Sequence, residues 1–421
     1  MRLSFLLVPV VFAAACSSAG GSSSSGAAAD GGGGGPATSD GGSDASVIAN
    51  DASSPIDGGA PASDAGSDGA LSDGGAARTT VRVHYPAGTH QLTLRGSAGP
   101  LNWTQGIALT AGANDTWTYS TDLVSTAIDL KPLLDDTTWS RGPNYHVLPG
   151  QTVDLYPHFV TVTGSYSRRW PSFTSTVLPS TRGILVYLPP SYAENTTARF
   201  PVLYMHDGQN IFDASTAFGG NEWKVDETMN AGAEDGTVRE AIVIGVENTG
   251  DRMNELTPTY DAGTGAGGKA DLYLKMIVTE IKPMVDLALR TMPARESTSM
   301  MGSSLGGLVT AYAGVRNADT FALVGAMSPS TWWDNRMILG EVATTPTRSA
   351  KPARVYVDSG DSGPSNDDVT NTAALAAQYR TAGYADGTTL KYVVQAGGQH
   401  NEIYWSQRLP AALAFLLGPA R

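Results

Sequence analysis

A chain of 421 residues has room for two or three domains, and a 41% hydrophobic fraction is enough to give them cores. The net charge of −13 argues against a nucleic-acid partner. The single cysteine, Cys16, excludes an intramolecular disulfide framework.

Met1-Arg2, an apolar run from Leu3 and the small residues Ala13-Ala14-Ala15 have the layout of a secretory signal over residues 1–15. The run is shorter than the roughly 20 apolar residues a bilayer span requires, and no other stretch reads as transmembrane. Cys16 follows at the cleavage edge. The stretch resembles the lipobox of bacterial lipoproteins, with Ala13 where leucine is usual. That resemblance implies lipidation of Cys16, a membrane link only through the lipid, and a secreted, cell-surface protein. Ser17 after the cysteine implies outer-membrane sorting in a Gram-negative cell. From Ser17 to Ala77 the chain is Gly, Ser, Ala and Asp, with eight Asp and no Lys or Arg. Such a composition buries too little apolar surface to offset the entropy of ordering. Residues 16–78 are therefore expected to be a disordered tether, spanning about 45 Å from roughly 5–6 Å times the square root of its length. Much of the negative charge lies there, so the acidity says little about any catalytic surface.

Residues 79–162 alternate short strand patterns with Pro, Gly, Asn and Asp clusters, which predicts a small β-sandwich. Strands are expected at Thr79–Tyr85, Gln91–Arg95, Thr116–Ser120 and Thr152–Tyr156. On Leu94-Arg95-Gly96, Pro100 to Trp103, Thr116-Trp117-Thr118-Tyr119, Lys131-Pro132-Leu133 and Trp139, this segment resembles starch-binding and related immunoglobulin-like carbohydrate-binding modules. The resemblance implies a polysaccharide partner. Trp117 sits in a strand and is expected to fill the core. Trp103 and Trp139 lie in turn-rich segments, where stacking on sugar rings and core packing both stay open. A spacer that binds nothing is the alternative.

Residues 165–421 change pattern. Apolar strands are expected at Gly183–Leu188, Phe200–His206, Glu240–Val246, Phe321–Met327, Ala353–Val357 and Thr389–Val394. Helices are expected at Asp271–Arg290 (kinked at Pro283), Asn371–Ala382 and Ile403–Leu417. The alternation predicts a mostly parallel sheet with helices on both faces. In its middle stands Gly302-Ser303-Ser304-Leu305-Gly306, a G-x-S-x-G pattern between the strand Glu296–Met301 and a helix from Leu308. Strand, tight turn and helix form the setting in which a serine hydroxyl is lifted clear of a sheet. Serine needs a base and a group that orients the base. Of six histidines, His400 alone follows Ser304, in the loop Gly397-Gly398-Gln399-His400-Asn401, and the order Ser, acid, His is that of hydrolases with this elbow. The acid belongs in the loop after the strand ending at Val357, where Asp358, Asp361, Asp367 and Asp368 compete. Composition leaves that choice open. One oxyanion donor is expected at the Leu305 amide and the other in the loop after His206, at Gln209.

Five ordered pieces carry a second resemblance: Tyr204 to Asp213, Arg252 to Pro258, Gly302 to Gly307, Met327 to Trp333 and Gly397 to Asn401. On these, residues 165–421 resemble the esterase D family of the α/β-hydrolase fold. The family implies Ser304 as nucleophile, His400 as general base and acid, and an aspartate after Asn, best met by Asn366-Asp367, with Asp361 and Asp368 still open. It implies no metal and no organic cofactor. Trp332 and Trp333 are candidates to line the pocket. Arg252 is a candidate for contact with a polar substrate or for an ion pair with Glu255. The expected activity is hydrolysis of a carbohydrate or phenolic ester through an acyl-enzyme, feruloyl or acetyl-xylan in type. A siderophore or other lactone esterase and an acyltransferase are alternatives on the same fold. A non-catalytic surface protein that binds glycans is the alternative of another class.

Overall fold

The computed structural model describes residues 77–418. The signal-type segment 1–15, Cys16 and the tether up to residue 76 lie outside the described residues.

Two sheets make up the first part. Thr79–His84 pairs antiparallel with Thr116–Thr121 and parallel with Thr152–Leu155. The other sheet is built on Ile128–Leu134, which pairs antiparallel with Leu92–Gly96, Thr138–Trp139 and Tyr145–Val147. Alternation along Thr79–His84 turns Val81 and Val83 inward and Arg82 outward. Leu92, Leu94, Ile128, Leu130 and Val147 meet them in a single apolar cluster.

The second part is an eight-stranded sheet. Its strands are β1 (Ser165–Thr174), β2 (Thr181–Leu188), β3 (Val202–His206), β4 (Ile242–Val246), β5 (Thr298–Ser304), β6 (Leu323–Pro329), β7 (Arg354–Gly360) and β8 (Leu390–Gln395), in the order β1-β2-β4-β3-β5-β6-β7-β8. The β1/β2 and β2/β4 pairs are antiparallel and all others parallel. Every residue of β3, β4 and β6 is buried, which is why those runs are apolar without alternation. Successive side chains still divide between the faces. Val202 and Tyr204 join a cluster with Ile277, Leu308 and Tyr379, whereas Leu203 and Met205 join one with Val225, Met229, Leu409 and Leu413. The helices covering the two faces are α1 (Val225–Asp235), α2 (Ala270–Met276), α3 (Lys282–Ala288), α4 (Leu305–Arg316), α5 (Trp333–Ala343), α6 (Val369–Thr381) and α7 (Glu402–Leu417). α1 and α7 lie on one face and the others on the opposite face. This is an α/β-hydrolase fold.

The helical run from Ala270 to Ala288 is not uniform: it passes through a π-turn at Ile277–Ile281 directly before Pro283, which stands in the first turn of α3.

The two parts are clasped together. Glu194 accepts hydrogen bonds from the N–H groups of Phe159 (2.6 Å), Val160 (3.1 Å) and Thr161 (2.9 Å) and from the Tyr85 hydroxyl (3.0 Å). Asn195 donates to the carbonyls of His84 and Pro157. Burial alone would raise the Glu194 carboxyl; these donors outweigh it and hold the group below its ordinary range. Because β2 is antiparallel to β4, Glu194 and Asn195 follow a strand that ends where the parallel strands begin. The clasp therefore sits at the sheet edge opposite the carboxyl ends of the parallel strands.

Candidate active site

Those carboxyl ends gather the predicted residues. β5 runs straight into α4 at Ser304, whose φ of 57° and ψ of −122° lie outside the regions a non-glycine residue ordinarily occupies. The turn requires the backbone to pass very near its neighbours. A Cβ on Gly302 would stand 2.8 Å from His206 Cδ2 and 2.9 Å from the Gly306 backbone, so only glycine fits. The Ser304 carbonyl accepts from the Ser330 N–H at 2.9 Å, and its Oγ lies 3.4 Å from Ser330 Oγ.

His400 sits in the loop before α7, edge-on to Trp405 with ring centroids 5.1 Å apart. Its Nδ1 lies 2.6 Å from Asp367 Oδ1. An ionised Asp367 is an acceptor only, so Nδ1 carries the proton and Nε2 remains to receive another. Of the four competing aspartates, the structure brings Asp367 to the histidine. Asp358 is fully buried beside Arg408. Asp361 accepts from the Gly397 N–H at 2.7 Å, and Asp368 from Asn371 at 2.7 Å. Asp367 itself is 1% exposed. Its Oδ2 accepts from Ser328 Oγ at 2.7 Å and from the Gly360 N–H. Burial would raise this carboxyl, but the bonds from His400, Gly360 and Ser328 outweigh it and hold the group ionised below its ordinary range. Asp368 goes the other way, raised by burial.

At the end of β3, Asp207 takes a left-handed conformation (φ 55°) and leads into the single turn Gly208–Asn210. A Cβ on Gly208 would come within 2.6 Å of the Gly245 backbone, so this loop too lies against its neighbouring strand only because it has none. First-turn N–H groups have no acceptor in their own helix. Leu305 heads α4 and Gln209 follows the start of this turn, which suits both amides to a developing negative charge. The loop is held by Arg252, which donates to Asp207 Oδ1 (2.7 Å) and Oδ2 (2.8 Å), and by Asn248, which donates to Oδ1 at 2.6 Å. Burial raises the Asp207 carboxyl, but Arg252 outweighs it and the group is depressed. His206, directly below, is pushed by burial down to about 4 and is neutral at pH 7.

Two sequence expectations are corrected here. Arg252 pairs with Asp207 through Nε and Nη2 and not with Glu255, which pairs with Arg182 instead (2.9 Å). Trp333 is completely buried, donates its indole N–H to the Thr259 carbonyl and packs in the core; it does not line a pocket. Trp332 beside it is 45% exposed. Trp103 and Trp139 are both exposed on the first part, with centroids 6.1 Å apart. Among the described residues, the acids able to converge on a cation are Glu222, Asp226 and Glu227, which include none of the predicted catalytic residues. Sequence reasoning missed Ser328, Ser330, Trp405 and Arg408. Ser328 and Ser330 lie in the Met327–Trp333 run, but nothing in the spacing of α7 marks Arg408.

Residues 175–416 match the family model described as "Putative esterase". An uncharacterized protein of Bacillus subtilis (strain 168), YbbA, is 26% identical over 253 residues, covering 57% of this chain and 94% of that protein. A siderophore enterobactin esterase of Emericella nidulans is 37% identical over 76 residues, 18% of this chain and 25% of that protein. Among solved structures, a ferulic acid esterase shares 21% identity with a TM-score of 0.47, covering 61% of this chain and 98% of that one.

Proposed function

Because the chain belongs to the esterase family over residues 175–416 and is a carboxylic ester hydrolase, we propose that it works as a serine enzyme through an acyl-enzyme. Ser304 Oγ attacks the ester carbonyl while His400 Nε2 takes its proton. Asp367 holds the Nδ1–H and stabilises the imidazolium. The Leu305 and Gln209 amides receive the oxyanion. The alcohol leaves with the proton from His400, and water, activated by the same nitrogen, then releases the acid. No metal or organic cofactor enters. The observation that carries this reading is the 2.6 Å contact of Asp367 with His400 at the sheet edge where the strained serine stands. The test is turnover of short-chain p-nitrophenyl esters: Ser304→Ala is expected to fall to background, and equal rates in the two proteins would overturn the reading.

The proposed substrate is an ester of a carbohydrate or phenolic compound. Exposed Trp332 offers an aromatic face two residues from Ser330. A second reading, a siderophore lactone, is favoured by the similarity to the Emericella nidulans esterase. Rates on feruloyl, acetyl-xylan and trilactone substrates separate the two.

Residues 79–162 are proposed to be an immunoglobulin-like domain binding polysaccharide through Trp103 and Trp139, with Arg95 lying over the Trp139 ring at 5.2 Å. The full chain is expected to be retained on starch, xylan or cellulose, and the Trp103→Ala/Trp139→Ala protein to pass through. Retention on none leaves a spacer. Lipidation at Cys16 is proposed to hold the enzyme at the outer membrane; Cys16→Ser should then move it from the membrane to the soluble fraction.

A further inference from the structure

Behind Asp367 lies a buried polar cluster that the mechanism above does not use. Ser328, at the end of β6, is fully buried and held at a φ of 37°, an unusual backbone for a residue with a side chain. Its Oγ accepts the Trp405 indole N–H at 3.0 Å and an Arg408 Nη2–H at 2.7 Å. A hydroxyl has two lone pairs and one proton. With both lone pairs occupied, the proton has one destination, Asp367 Oδ2 at 2.7 Å. Arg408 is 4% exposed and lies between two carboxylates: its Nε is 3.0 Å from Asp358 Oδ2 and its Nη2 is 3.6 Å from Asp367 Oδ2. Asp358 is fixed in turn by the Ser328 N–H (3.1 Å) and the Tyr356 hydroxyl (3.0 Å). Gln395 on β8 accepts from Arg408 Nη1 at 2.9 Å.

We infer that Ser328 and Arg408 are positioning residues that set the basicity of His400 through Asp367. They aim Oδ1 at the imidazole by holding Oδ2, and they draw negative charge away from the carboxylate that His400 faces. α7 carries both Trp405 and Arg408 and directly follows the His400 loop, so one element ties base and acid together. The inference rests on the roles proposed for Ser304, His400 and Asp367.

The sign follows from which form of His400 works. The reaction requires neutral imidazole, so the acid limb of kcat/KM reports its pKa. Removing a donor or a positive charge from Asp367 leaves more negative charge facing the ring, favours imidazolium and moves that limb to higher pH. Other groups around this pair are Asp368 in the same loop, Asp358 and Tyr356 on β7, and Glu402 on α7, which also lies near Asp207 and Arg252. None of them is replaced by the substitutions below, but Arg408→Met also removes the counter-charge of Asp358, so the acid limb is read from Ser328→Ala, which leaves that pair in place.

The experiment compares wild type, Ser328→Ala, Arg408→Met and Arg408→Lys on a p-nitrophenyl ester from pH 5 to 9. Ser328→Ala and Arg408→Met are expected to lower kcat by about 10- to 100-fold with little change in KM, as loss of a group acting through general base catalysis does. The acid limb of Ser328→Ala is expected to rise by about half to one unit, and that of Arg408→Lys, which keeps the charge, to stay near wild type. Should Arg408→Met fail to fold, Ser328→Ala decides alone, because it leaves the Arg408–Asp358 pair intact. A limb that does not move in Ser328→Ala overturns the inference. The proposed catalytic roles fail separately, by retained activity in Ser304→Ala.

Discussion

Replacing Asp367 with asparagine is expected to lower kcat by about 10⁴-fold while leaving the fold intact. The carboxylate receives the His400 Nδ1–H at 2.6 Å and bonds from Ser328 and the Gly360 N–H. An amide of the same shape keeps the volume but loses the charge. If its NH₂ faces His400, Nδ1 must become an acceptor and the proton moves to Nε2, the nitrogen that must accept the serine proton. If its oxygen faces His400, the NH₂ is pressed against the Ser328 hydroxyl and the Gly360 N–H, both donors. Each orientation fails, one by tautomer and the other by repulsion, and no orientation restores charge stabilisation of the imidazolium. The same substitution at Asp361 or Asp368 meets neither problem. Their partners are the Gly397 N–H and the Asn371 side chain, and a loss below about tenfold is expected. Steady-state kcat for the three variants on one p-nitrophenyl ester makes the comparison; an Asp367→Asn protein within tenfold of wild type would sink the assignment.

The family resemblance favoured Asp367, and why the residues' own pattern left four aspartates open is visible in the backbone. Ser365, Asn366, Asp367 and Asp368 all have φ between 48° and 57°, a left-handed turn built without glycine. Each such residue costs roughly 1–2 kcal/mol. No local pattern announces that turn, and it alone decides that Asp367 points inward while Asp368 does not. The serine and histidine were legible for the opposite reason. Their settings are set by short-range signals: glycines at fixed offsets, an apolar strand before them, a helix after. The same contrast runs through the fold. β3, β4 and β6 are apolar because both faces are covered, and they stand where the apolar runs predicted them. β1 went unpredicted because it is an edge strand exposed along most of its length, with Arg168 and Arg169 in its middle and no buried face to leave a pattern. Trp332 and Trp333 carry the same side chain, and only tertiary packing sorts one to the surface and the other to the core. Arg252 and Glu255 are three apart on one turn, which invited pairing them. Each instead reaches a partner more than 40 residues away in sequence.

That long-range pairing makes Glu255→Ala the substitution with the largest expected effect on stability, about 3–5 kcal/mol. The side chains of Arg182 and Glu255 are 0% and 2% exposed, and their ion pair is 2.9 Å long. Arg182 reaches it from β2, also contacting Ser180 Oγ and lying 5.5 Å from the Tyr273 ring centroid. Glu255 receives a further bond from Thr249 at 3.0 Å. Truncating the acid leaves a guanidinium in the core with no counter-charge, and arginine cannot escape by losing its proton. Removing both charges is different in kind. Arg182→Met with Glu255→Leu takes away the desolvation cost along with the attraction, so the double variant is expected to regain most of the stability lost by the single one. Urea midpoints for wild type, Glu255→Ala and the double variant test this, and a single variant within about 1 kcal/mol of wild type would show the pair to be dispensable. The consequence reaches the active site through Tyr273. Its hydroxyl lies 2.9 Å from His206 Nδ1, and His206 directly precedes Asp207 and the Gln209 amide. An uncompensated charge beside Tyr273 disturbs the support of the Gln209 amide, the proposed second oxyanion donor, while leaving Asp367 and His400 untouched. Glu255→Ala is therefore expected to lower kcat at temperatures where it is still folded, with the acid limb of its pH profile unmoved, the signature opposite to that of Ser328→Ala.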